Sequence, residues 1–379
     1  MIERGQWTKM KVGCVKEIKK YEYRVGLTPE NVKEYVNRKN QVYIQKGAGE
    51  GAFFTDEMYR EAGAVILDTA EEIWAECDMI VKVKEPLEEE YDLIRENQII
   101  YTYLHLAADR PLTDALLKSK AKAVAYETIR DKNGGLPLLK PMSEVAGRLS
   151  IQEGARCLER TMGGMGLLLG GVSGVRQANV LIIGAGVVGT NACKMAVGLG
   201  ARVTIADNNI DRLTYLDDMF GSRIQTMYST DSALEKACCE ADLVIGSVLI
   251  PGAKAPKLIK ERYLDGMKNG SVIVDVAVDQ GGCCETTVPT YHDNPTFIKK
   301  GVVHYCVANM PGAVAMTSTM ALTNATLRYG LAIADVGVEE AIRRDGLLAL
   351  GMNCYEGKLT CKEVAEAHDM EYTDIFELI

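Results

Sequence analysis

The chain has 379 residues, of which 47% are apolar and 25% charged, an ordinary balance for folded α/β or α+β domains and too apolar for disorder. Its length favours two folding units, and its net charge of -9 argues against nucleic acid or an anionic membrane surface as a partner, since either needs a basic face. The first residues, "MIERGQWTKMKVGCV", lack the apolar core of a signal peptide, and no later stretch is long and apolar enough to span a bilayer, so a cytoplasmic protein acting on small molecules is expected. The 11 cysteines are odd in number and lack CxxC spacing, which predicts reduced thiols and no metal site.

In chain order, "MKVGCV" (10–15), "QVYIQ" (41–45), "DMIVKVK" (78–84), "QIIYTYL" (98–104) and "KAVAYE" (122–127) read as strands. Between them "TPENVKEYVNRK" begins with Thr28 as N-cap and Pro29 in the first turn, and "TDEMYREAG" is a helix capped by Thr55 and stopped by Gly63. Alternation of strand and helix predicts a mainly parallel sheet covered on both faces. "SEVAGRLSIQEGARCLERTM" (143–162) follows as a helix with Ser143 at its start, then a glycine-rich crossing, "GGMGLLLGGVSG". A second alternating unit has "NVLIIG", "RVTIAD", "DLVIGSV" and "SVIVDVAVD" as strands. After about residue 316 "TSTMALTNATLRYGLAIADVGVEEAIRR" is helical in pattern, and the C-terminal tail is expected to pack on the first unit. The expectation is two Rossmann-like, doubly wound parallel-sheet domains with a cleft between them: 1–137 with 316–379 for substrate and catalysis, and 138–315 for a dinucleotide.

The dinucleotide reading rests on "NVLIIGAGVVGTNACKMAVGLGARVTIAD". Gly184, Gly186 and Gly189 follow a buried strand and open a helix, and Asp207 closes the next strand. In this arrangement the first glycine turns the chain, the second admits the pyrophosphate, the third lets helix meet strand, and the helix N-terminus offers N–H donors. An acid at the position of Asp207 accepts from the adenosine ribose hydroxyls and repels a 2′-phosphate, which favours NAD over NADP.

Ligands of such sheets bind at the carboxyl ends of the strands. Arg24 lies in the loop after the first strand, Lys84 ends the third, His105 ends the fourth, and Asp279 ends "SVIVDVAVD" in the second unit. Each also has a structural reading: Arg24 and Lys84 as loop charges paired with Glu22 or Glu85, His105 as a core ring, Asp279 as the cap of a turn. Their shared predicted location favours chemistry, because two cations suit a carboxylate and an imidazole suits proton transfer.

At these residues the sequence resembles the alanine dehydrogenase family over almost the whole chain from Met10. "EYRVGLTP", "GAGEGAFFTD", "VKVKEP", "YLHLAAD", "PMSEVAGR", "LIIGAGVVG", "GSVLIPGAKAPKL", "VDVAVDQGGC", "YCVANMPGAV" and "TSTMALTNAT" carry the likeness. The resemblance implies reversible NAD-dependent oxidative deamination of L-alanine to pyruvate and ammonium by a cytoplasmic homohexamer. It implies Arg24 and Lys84 as substrate contacts, and His105 and Asp279 as the catalytic pair. It implies cofactor contacts at Ser143, Val187, Val188, Asp207, Arg212, Ser229, Val248 and Leu249, and through Val276, Ala277, Val278 and Asp279 to Val307, Ala308, Asn309 and Met310. Ser143 also reads as a helix N-cap, and the two roles are compatible. Two departures stand out: Val288 occupies a position where relatives often have an arginine, and nine residues precede Met10. The rivals are the NAD-binding component of a proton-pumping transhydrogenase, which expects membrane segments in a partner, and a non-catalytic NAD-binding redox sensor, which leaves the cationic rim unexplained.

Overall fold

A computed structural model describes residues 9–248 and 254–379. The backbone divides into two compact units, residues 1–141 with 314–379 and residues 142–313. In the first, strands β1 (Lys11–Cys14), β2 (Gln41–Gln45), β3 (Val65–Leu67), β4 (Met79–Val81), β5 (Ile99–Thr102) and β6 (Lys122–Ala125) alternate with helices α1 (Pro29–Asn37), α2 (Asp56–Glu61), α3 (Ala70–Glu76) and α4 (Arg110–Ser119). Helix α5 (Lys140–Cys157) leads into the second unit, where β7 (Asn179–Ile183), β8 (Arg202–Asp207), β9 (Ile224–Tyr228), β10 (Leu243–Gly246) and β11 (Val272–Asp275) alternate with α6 (Val187–Gly198), α7 (Ile210–Phe220) and α8 (Asp231–Glu240). That unit closes with β12 (Thr296–Lys299) and β13 (Val302–Tyr305). The chain then returns to the first unit with α9 (Ala315–Val336), α10 (Val338–Arg344), β14 (Met352–Tyr355), β15 (Lys358–Leu359) and α11 (Lys362–His368).

The first sheet has the order β15-β14-β6-β5-β4-β1-β2-β3 and the second β12-β13-β11-β10-β7-β8-β9. All pairings are parallel except β14 with β6, β14 with β15, and β12 with β13. The chain is therefore α/β with two mostly parallel sheets. In the first sheet the strand order reverses between β1 and β4, and in the second between β7 and β10, which marks the crevices where such folds take ligands. Apolar faces pack into one core around Ile73, Trp74, Ile80 and Ile100 in the first unit, and another around Val244, Ile259, Tyr263 and Ile273 in the second.

Local chemistry starts the helices. The Thr28 hydroxyl accepts from Asn31 N–H while the Asn31 side chain accepts from Thr28 N–H, and Pro29 occupies the first turn, where no N–H donor is required. Thr55 caps α2 in the same way through Met58 N–H.

Several boundaries differ from the sequence reading. Strand β3 has only three residues, too few to show alternation. The expected strand 78–84 stops at Val81, because Glu17 takes the N–H of Val83 out of the ladder. Strand β11 stops at Asp275, so Asp279 sits in a following 3₁₀ turn, Val278–Gln280, rather than at a strand end. Ser143 is not an N-cap: Pro141 is accommodated in the first turn, the helix starts at Lys140, and Ser143 lies inside it. The helical reading of 317–344 is met by α9 and α10, and beyond them β14 and β15 extend the first sheet from its β6 edge.

Candidate active site

Lys84 and His105 lie three residues past the carboxyl ends of β4 and β5, neighbouring parallel strands of the first sheet, and Arg24 lies in the loop that follows β1, the strand across the switch point from β4. The Arg24 guanidinium is buried and forms a two-pronged pair with Glu22, Nε to Oε1 and a terminal nitrogen to Oε2, each 2.6 Å. Burial lowers its pKa, but the hydrogen bond and charge of Glu22 outweigh that and raise it, so Arg24 is a permanent cation. The pairing with Glu22 is thus real, but it is a buried brace rather than a solvated loop contact. The Thr319 hydroxyl of α9 accepts from Val25 N–H at 3.2 Å, so the returning helix secures the backbone next to Arg24.

His105 is not a core ring. Its side chain is 49% exposed, and its backbone is left-handed at φ 51° and ψ 36°, uncommon for a residue with a Cβ. The Glu127 carboxylate, just past β6, accepts from His105 N–H at 2.6 Å and Leu104 N–H at 3.2 Å, and its Oε1 lies 3.9 Å from His105 Nδ1. The Tyr103 ring lies parallel to the imidazole with centroids 5.8 Å apart, and Tyr103 donates its hydroxyl to Leu138 O. One carboxylate therefore holds the strained turn and one aromatic ring orients the imidazole. The sequence reading missed Glu127, although the end-of-strand rule applied to "KAVAYE" reaches it.

In the second unit the turn after β7 has the geometry a dinucleotide requires. Gly184 has φ +105°, and a Cβ on Gly189 would sit 1.8 Å from Gly184 O, so neither tolerates a side chain. A Cβ on Gly186 would meet no protein atom within 4 Å; it would fill only the cradle before the N-terminus of α6. Val187 and Val188 form the first turn of that helix. Asp207, ending β8, accepts from Ala185 N–H at 2.6 Å and Asn209 N–H at 2.8 Å, while Arg212 donates to Ala185 O and the Thr190 hydroxyl. Donors and acceptor flank one glycine turn, a fit for a pyrophosphate and an adenosine ribose.

The other expected cofactor positions follow strand ends of the same sheet. Ser229 comes after β9, Val248 after β10, Val276 to Asp279 after β11, and Val307 to Met310 after β13. Leu249 lies outside the described residues. Ser143 is half-buried within α5. Asp279 is exposed, and its Oδ2 accepts from Asn309 N–H at 3.3 Å, which ties the β11 and β13 loops together. The fully buried Asp275 shapes this turn by accepting from the N–H groups of Ala277, Cys283 and Cys284 and from the Thr287 hydroxyl. Val288, the residue after Thr287, is 58% exposed. Among the described residues no cluster of His, Cys, Asp and Glu could hold a metal, and no helix is long and apolar enough to cross a membrane.

Residues 13–146 match the family description "Alanine dehydrogenase/PNT, N-terminal domain" and residues 150–362 match "Alanine dehydrogenase/PNT, C-terminal domain". The chain belongs to the alanine dehydrogenase/PNT family. It is 54% identical to the alanine dehydrogenase of Halomonas elongata over 98% of this chain and all of that one. It is 55% identical to that of Methanococcus maripaludis over 96% and 98% of the two chains. A solved L-alanine dehydrogenase structure, 51% identical, superposes with a TM-score of 0.92 over 95% of this chain and 99% of the other. A transhydrogenase structure from Sinorhizobium meliloti, 23% identical with a TM-score of 0.80 over 93% and 99% of the chains, shares the fold alone.

Proposed function

We infer that this family member is an alanine dehydrogenase, an oxidoreductase acting on a CH–NH2 group, which converts L-alanine and water to pyruvate and ammonium with NAD and runs the reverse amination. The observation that carries the reading is identity above 50% over essentially the full length of curated alanine dehydrogenases. Asp207 and the glycine turn support NAD as the nucleotide, because a carboxylate accepts from ribose hydroxyls and repels a 2′-phosphate. When bound, NAD supplies the hydride acceptor.

The chain's own residues do the rest. Arg24, kept cationic by Glu22, and Lys84 hold the substrate carboxylate, which orients Cα and turns much of the entropic barrier into binding. His105 hydrogen-bonds the carbonyl oxygen as it develops and exchanges a proton while water adds to the iminium carbon. Asp279 orients that water or accepts a proton from the carbinolamine. The expected particle is a cytoplasmic homohexamer, with residues 1–137 and 316–379 serving substrate and 138–315 serving NAD. The deciding experiment is NADH formation with L-alanine, glutamate, leucine and lysine, beside NADPH and pyruvate controls. Alanine is expected to turn over far faster than the others; another amino acid reacting equally well would overturn the substrate assignment.

A further inference from the structure

Lys82 is fully buried, with its ammonium 2.9 Å from Glu90 Oε1 and 3.3 Å from Glu17 Oε2. Three charges out of water are costly, and an apolar residue of similar volume in place of such a group is often no less stable. Stability alone therefore gives this cluster no reason to exist at the end of β4. Its geometry does. The other oxygen of Glu17 accepts from Val83 N–H at 2.6 Å and from Lys84 N–H at 3.3 Å. The Thr102 hydroxyl donates to Lys84 O at 2.9 Å, so the Lys84 backbone is gripped from both sides. Tyr126 donates to Lys82 O at 3.0 Å, and Glu90 accepts from Leu87 N–H at 3.0 Å, which anchors both ends of the segment. Burial raises the Glu17 carboxyl above the usual carboxylate range, and the Lys82 ammonium and the Val83 N–H offset that rise only in part.

We propose that Glu17 is a positioning residue for Lys84: braced by the buried Lys82–Glu90 pair, it fixes the Val83–Lys84 backbone and so sets where the Lys84 ammonium meets the substrate carboxylate. The proposal rests on the reading of Lys84 as a carboxylate contact. An error near 1 Å in such a group costs up to about 10²-fold in rate. Glu17→Ala thus lowers kcat/KM for pyruvate by about that factor, mainly through KM, with the NADH dissociation constant unchanged because the glycine turn lies in the other unit.

The test is a double-mutant cycle of Glu17→Ala and Lys84→Met, measured by pyruvate amination at saturating NADH, with NADH fluorescence titration and thermal melting on every protein. The expected result is non-additivity: once Lys84 is removed, losing Glu17 costs less than about threefold more. Two losses that multiply would overturn the proposal and assign Glu17 a structural role. If Lys84→Met impairs catalysis but Glu17→Ala does not, the positioning role alone falls. If Lys84→Met is silent, the carboxylate contact falls and the proposal with it. Should Glu17→Ala not fold, Glu17→Gln keeps one neutral acceptor for both N–H groups and replaces the oxygen that faces Lys82 with an amide NH2; its expected kcat/KM for pyruvate is several-fold below wild type with NADH binding intact. If Glu17→Gln also fails to melt cooperatively or bind NADH, the network serves folding and the proposal is overturned.

Discussion

His105 is held in the left-handed region at a cost of order 1–3 kcal/mol, and the Glu127 carboxylate on its N–H and that of Leu104 offsets it. Strain of this kind persists where the surrounding structure over-determines it, and functional sites are where it collects. We predict that His105→Gln melts within a few degrees of wild type, since the ring is half-exposed, binds NADH normally, and loses pyruvate amination by ~10²-fold or more, the usual share of general acid–base catalysis. Near-normal turnover with a lowered melting temperature would instead make His105 structural. The glycine turn allows a second residue-scale test. Gly186→Ala meets no protein atom and is expected to fold as well as wild type while NADH affinity falls at least ~10-fold; Gly189→Ala collides with Gly184 O and is expected to lower the melting temperature even without nucleotide. Equal melting temperatures for the two variants would contradict this.

Single carboxylates decide where several elements begin and end. Asp275 gathers three N–H groups and a hydroxyl, ends β11, and turns the chain so that Asp279 stands in a loop. Just before β10, the buried Asp242 receives Arg176 at 2.5 and 2.9 Å, Lys268 at 2.8 Å and Asn179 N–H at 2.8 Å. Burial raises its pKa, but the hydrogen bonds from Arg176, Lys268 and Asn179 outweigh this and leave it below the usual aspartate range. A depressed folded-state pKa contributes stability that is present above the unfolded value of about 3.9 and is lost as pH falls through the folded value. Asp242→Asn is therefore expected to cost roughly 1.5–3 kcal/mol at pH 7, limited because both cations are partly exposed and can return to water. The gap in melting temperature between wild type and variant is expected to narrow as pH drops below about 4. A gap independent of pH from 3 to 7 would show that the charge of Asp242 is not what stabilises this junction.

At the level of the whole molecule, the chain folds its first unit from two distant segments, so β14 and β15 complete a sheet begun more than two hundred residues earlier, and α9 joins the same unit. Thr319 of α9 reaches Val25 N–H, and Tyr101 of β5 donates to Thr326 O, which makes the returning segment part of the wall behind Arg24. The proposed hexamer is checked by light scattering at micromolar concentration: an assembly six times the chain mass is expected, and a mass near 41.4 kDa would rule it out.

The glycine turn, the Thr28 and Thr55 caps, the apolar strands and the run of candidate residues past strand ends are all legible in short contiguous stretches. Their physics is local: a backbone conformation only glycine tolerates, an N-cap hydroxyl three residues from the N–H it accepts, or a buried strand that must be apolar. Ser143 shows the limit even there, since a proline two residues earlier shifted the helix start. What lay beyond the sequence was the hold of distant groups on the backbone around the candidates: Glu17 on Lys84, Glu127 on His105, and Thr319 on Val25 beside Arg24. Those partners are 67, 22 and 294 residues away along the chain, and only sheet order brings them together, because a charge meets its counter-charge through space and periodicity records only the face a residue occupies.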